Sequence, residues 1–90
     1  MTTIILPPTC DRAAAAALAH DLCDALSHGP ASIDGSEVAS IGQATIQVLI
    51  SARRTADEAG WPLPISASGP MATTLNLAGV DSLLLVKDGQ

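Results

Sequence analysis

Apolar and polar positions alternate along this chain with two different periods. Ile4-Ile5-Leu6 is a short apolar run stopped by Pro7-Pro8, which predicts a first strand. From Arg12 to Leu26 the period becomes helical: Leu18, Leu22, Ala25 and Leu26 form one stripe, and Ala13 to Ala17 add high helix propensity. Asp21 and Asp24 lie away from that stripe. Thr9 or Asp11 can cap this helix, and Gly29-Pro30 ends it. Ala31 to Asp34 predicts a second strand. Ser32 dilutes its pattern, but a helix has just ended and another begins about ten residues later.

The second helix is predicted over Gln43 to Ala59. At 100° per residue, Thr45, Leu49, Ala52, Ala56 and Ala59 share a face turned to the core. Gln47, Ser51, Arg54 and Glu58 fall opposite, with Ile46 and Ile50 on the border beside Arg53 and Asp57. Gly60 is the natural C-cap. Leu63 and Ile65 then alternate with Pro64 and Ser66 as a third strand, with a free side or a bulge at Pro64. Ser68-Gly69-Pro70 opens a third helix with Pro70 in its first turn. Met71, Thr74, Leu75 and Ala78 give its buried stripe, and Gly79 ends it. Asp81 can cap a last apolar piece, Ser82 to Val86, as a helical turn or a strand.

Strand and helix therefore alternate. The expected fold class is α/β: a mainly parallel four-stranded sheet with helices packed on it, β-α-β-α-β-α plus a short final element. Residues 1–86 read as a single domain and residues 87–90 as a polar tail.

Composition narrows this further. Apolar residues make up 48% of the 90, yet there is no Phe, no Tyr and one Trp. The core must be thin layers of Leu, Ile, Val and Ala. A net charge of −5 with four basic residues argues against nucleic acid and against an anionic membrane surface. No apolar run approaches the roughly 20 residues of a membrane-spanning helix. The start, Met1 to Pro8, lacks a signal peptide's basic and long apolar regions, so a cytoplasmic location is expected. Cys10 and Cys23 would then be reduced thiols, with Cys23 a small buried hydrophobe.

Chemistry is sparse. The seven glycines form neither a G-x-G-x-x-G fingerprint nor a Walker loop, and there is no G-x-S-x-G elbow. His20 and Cys23 are three apart on a helix, with Cys10 and His28 elsewhere, which is not metal-ligand spacing. Asp57 and Glu58 are sequence neighbours that do not face each other. Asp34 ends a strand and suits an Asx turn with Ser36 or Gly35. Trp61 suits a partner anchor or, more simply, a cover on a core edge. No cofactor, metal or catalytic residue is expected. The stretch with most promise is the loop from Gly35 to Gly42 and the helix start after it. Open α/β sheets place their sites between a strand's carboxyl end and a helix's amino end.

The order and spacing of several pieces resemble the STAS domain family, shared by sulfate-transporter tails and anti-sigma-factor antagonists, and most of all its small single-domain bacterial branch. The pieces are Leu6-Pro7 before an Ala-rich helix, Ile33-Asp34-Gly35-Ser36-Glu37-Val38, and Ile46 to Arg54. Ala59-Gly60-Trp61-Pro62-Leu63 and Leu77-Ala78-Gly79-Val80-Asp81 complete them. The resemblance implies a phosphorylation site: an Asp, then a Ser or Thr, at the start of the second helix. Here that Asp falls on Gly42 and the hydroxyl residue on Gln43 or Ala44, so the site is degenerate. Ser40 and Thr45 flank it without matching.

The resemblance further implies a non-catalytic protein–protein interaction module in bacterial signalling. The partner would be a serine-kinase anti-sigma factor, a chemotaxis or two-component protein, or the ATPase of a phospholipid ABC transporter. Binding of a nucleotide or lipid by the loop and helix start is a further reading. Since core-facing residues cannot be read by a partner, the expected contact residues are Ser40, Gln43, Gln47, Ile50 and Arg54.

Overall fold

The computed structural model describes residues 2–80 and Leu84 of the chain. Five strands and three helices follow one another as β1 (Thr2–Ile5), β2 (Thr9–Cys10), α1 (Arg12–Leu26), β3 (Ala31–Gly35), β4 (Ser40–Ile41), α2 (Gln43–Ala59), β5 (Ile65–Ala67) and α3 (Gly69–Leu77). The expected alternation is present, but the sheet is divided. A three-stranded parallel sheet has the order β1-β3-β5, and β2 and β4 form a separate parallel pair. The fourth strand of the expected sheet is not among the described residues. The first strand also begins earlier than its apolar run and stops before Leu6, and the third spans Ile65–Ala67, leaving Leu63 buried ahead of it. Of the predicted last piece, only Leu84 lies within the described residues; it is helical and buried.

Register decides which sheet face is covered. Ile4, Ile33 and Ile65 stand side by side, and Ile33 and Ile65 are buried while Ile4 packs against the core. Ile5, Asp34 and Ser66 form the next row on the opposite face, where Ile5 is 64% exposed. The successive parallel crossovers therefore carry their helices onto one face. Leu18, Leu22, Leu49, Met71 and Leu75 fill the layer between, as an aromatic-poor chain requires.

Local signals account for the helix ends. The Asp11 carboxylate accepts from the Ala14 N–H at 2.9 Å, capping α1. Gly60 closes α2 at φ 75°, a left-handed conformation that glycine adopts without strain. The Ser68 hydroxyl caps α3, accepting from Met71, and donates to the Val38 carbonyl, so the loop after β3 is tied to α3. Gly35 is needed for a different reason. A Cβ there would collide with the Met71 sulfur and stand 2.8 Å from the Ser66 carbonyl oxygen.

Several expected positions fall elsewhere. Cys23 is exposed, not buried: at about 100° per residue it falls roughly 115° from the middle of the Leu18, Leu22, Ala25 and Leu26 stripe. Ala59 and Ala78 are exposed because each ends its helix beyond the core, and Thr74 is half-buried. Both cysteines are free thiols.

Candidate functional site

The β2–β4 pair builds the start of α2. Thr9 pairs with Ser40 and Cys10 with Ile41, and the Gly42 N–H donates to the Cys10 carbonyl at 2.9 Å. The Pro8 carbonyl accepts from both Ala39 and Ser40. The chain entering α2 is thus bonded to the chain entering α1, and the two helices start side by side. Asp34 orders the loop's first half as an Asx turn, its carboxylate accepting from the Ser36 N–H at 2.9 Å. Hydrogen bonding from Ser36 holds that carboxyl below its ordinary range. The charged turn is therefore complete at neutral pH and is lost only as pH falls through the lowered value.

Gly42 occupies the N-cap of α2 in extended conformation, with no side-chain cap. Gln43 and Ala44 after it are exposed and carry no hydroxyl. Thr45, one turn in, is 1% exposed, and its hydroxyl lies 3.3 Å from the Cys10 carbonyl and 3.4 Å from that of Asp11. It is a bolt between the two helix starts. Cys10 beside it is buried, and burial, then the Asp11 charge, pushes its thiol pKa up.

The five expected contact residues divide. Ser40, Gln43, Gln47 and Arg54 are exposed, while Ile50 is half-buried and packs on the core. Ile46, expected to offer apolar area at the border, is buried. At helical spacing Gln43, Gln47, Ile50 and Arg54 fall within a strip about 60° wide, centred opposite Thr45, Leu49, Ala52 and Ala56. Arg53 and Arg54 have different roles. Arg53 is half-buried and donates to the Leu84 carbonyl at 2.9 Å, whereas Arg54 is exposed. Only the fold could separate them, because the acceptor is a backbone atom far along the chain.

Among the described residues no group of three or more His, Cys, Asp or Glu could hold a metal ion. None of their helices is long and apolar enough to cross a membrane. Trp61 is 38% exposed. Between α1 and α2 runs an apolar groove of about 470 Å³, lined by Leu22, Cys23, Leu26, Val48 and Ala52 among others.

A family model described as "Mlab, STAS domain" matches residues 4–87. The chain belongs to the STAS family. No curated protein and no solved structure matches it. This STAS domain departs from the pattern implied by the resemblance at Gly42, Gln43 and Ala44. The backbone that would present such a pattern remains: a helix start pinned by the β2–β4 pair and open to solvent.

Proposed function

We propose that this STAS-type module is a non-catalytic protein–protein interaction module whose partner reads the outer strip of α2 and the loop before it. The observation that carries the reading is the division of α2. Its inner residues are committed to the core, while Ser40, Gln43, Gln47 and Arg54 stand in solvent beside a rigidly held helix start. Arg54 adds the planar donor fork that is enriched at interfaces. No stoichiometric phosphate is expected at the start of α2: Gly42-Gln43-Ala44 lacks a hydroxyl, and Thr45 is buried and already bonded. High phosphate occupancy at Ser40 or Thr45 in intact-mass and fragment spectra would overturn this.

The resemblance supports three partner classes: a serine-kinase anti-sigma factor, a chemotaxis or two-component protein, and the ATPase of a phospholipid ABC transporter. Capture of a partner from the native cells, identified by mass spectrometry, separates them. Titration calorimetry then tests the surface. Because Ile50 packs on the core, Gln47→Glu and Arg54→Ala are the cleaner probes. Together they are expected to weaken binding about tenfold, roughly 1.4 kcal/mol, with an unchanged melting curve. If the folded double variant binds like the parent, this strip is not the site.

A further inference from the structure

We propose that the outer edge of β1 is a second docking site, which accepts an extended, Lys- or Arg-bearing segment of a partner protein as an added strand. Thr2 donates to the Pro30 carbonyl and Leu6 to that of Asp34, so the even-numbered residues of β1 face β3. By the alternation of a parallel ladder, the N–H and C=O groups of Thr3 and Ile5 point away from the sheet. β1 pairs only with β3 among the described residues. Natural sheets guard such edges with Lys, Pro or a bulge. The segment Thr2-Thr3-Ile4-Ile5 carries neither Lys nor Pro, and every residue in it is β-branched. Strand addition to an edge of this kind draws its affinity from main-chain hydrogen bonds.

Charge selects the occupant. A groove of about 480 Å³ runs beside this edge, lined by β1 together with Asp21, Asp24, Ala25 and His28 of α1. Asp21 and Asp24 are exposed, no Lys or Arg lines the groove, and His28 Nδ1 lies 2.8 Å from the Asp24 backbone carbonyl. A second copy added through the same edge about a two-fold axis would bring Asp21 and Asp24 of each copy towards those of the other. A basic strand would instead place its ammonium or guanidinium groups against them.

The test uses the isotope-labelled full chain titrated with acetyl-Lys-Thr-Lys-Val-Lys-Thr-amide and with its Glu counterpart, followed by NMR. The lysine peptide is expected to shift the Thr3 and Ile5 amides and slow their hydrogen exchange. The Glu peptide should leave both unchanged. Thr3→Pro, which removes an outward N–H, should abolish the effect. Asp21→Lys with Asp24→Lys, both at exposed helix positions, should reverse the preference between peptides by about fivefold or more. That swap keeps the test decisive if Thr3→Pro fails to fold. Equal response to both peptides, or shifts confined to α2, would overturn the proposal. So would a dimer in sedimentation whose Thr3 and Ile5 amides are already protected, since a second copy would then cover the edge.

Discussion

Helices α1 and α2 start in register and are finished differently. Cys10 and Ile41 pair across the short ladder, so Asp11 and Gly42 are the next residues on each side. Each is the N-cap of its helix, in extended conformation. Asp11 turns a carboxylate back onto its own first turn, while Gly42 has no side chain to do so. One of the first N–H groups of α1 is thereby satisfied by a side chain, whereas those of α2 receive no side-chain cap. One start is built for its own stability and the other is left open. The open start is where the family resemblance places a phosphorylation site and where the proposed partner surface begins.

If α2 is held by packing and not by its start, its largest sensitivity lies in the core. Leu49 is fully buried between α2 and the rest of the core, and Leu49→Ala should cost roughly 2–5 kcal/mol in chemical denaturation. A loss near zero would place α2 outside the cooperative core. The bolt between the starts comes next. Thr45→Val removes the hydroxyl that reaches the Cys10 and Asp11 carbonyls. Those carbonyls keep the Gly42 and Ala15 N–H donors, so the loss should be about 1.5 kcal/mol and no more. Asp11→Ala should cost about 1 kcal/mol by uncapping α1. Stability unchanged by Asp11→Ala would erase the contrast between the two starts.

The strength of this contrast depends on features that the sequence reveals unequally. The helix Gln43–Ala59 was legible from end to end, because its apolar spacing and Gly60 agree on phase and length. The strand Ala31–Gly35 was legible from its place between two helices and proved to be central. The β2–β4 pair was not, since two-residue strands have no period to read. Cys23 and Ile46 were misplaced for opposite reasons. Cys23 was counted with the apolar face of α1 although it lies roughly 115° from the stripe, whereas Ile46 stood at the border of its wheel and the core reaches round to bury it. The candidate surface could be named from the sequence only as a stretch of chain. Its division into buried Thr45, half-buried Ile50 and exposed Gln47 needed the fold.

The smallest effect bears most directly on the open start. Gly42→Asp would give α2 the residue type that α1 already has in the matching position. An Asp N-cap gains only a few tenths of a kcal/mol over Gly, and a carboxylate near a helix start adds about 0.3–1 kcal/mol. Two effects oppose this. A Cβ at Gly42 would sit 3.3 Å from the Cys10 carbonyl oxygen, so the ladder must yield slightly. The new carboxylate would also stand across the ladder from Asp11 in a chain of net charge −5. The expected net change is within about 0.5 kcal/mol of zero, measured as a shift in denaturation midpoint at constant slope. A gain above about 1 kcal/mol would mean that the open start carries a real stability cost. A comparable loss would mean that the Cys10 carbonyl cannot yield, making glycine at this cap a packing requirement of the ladder.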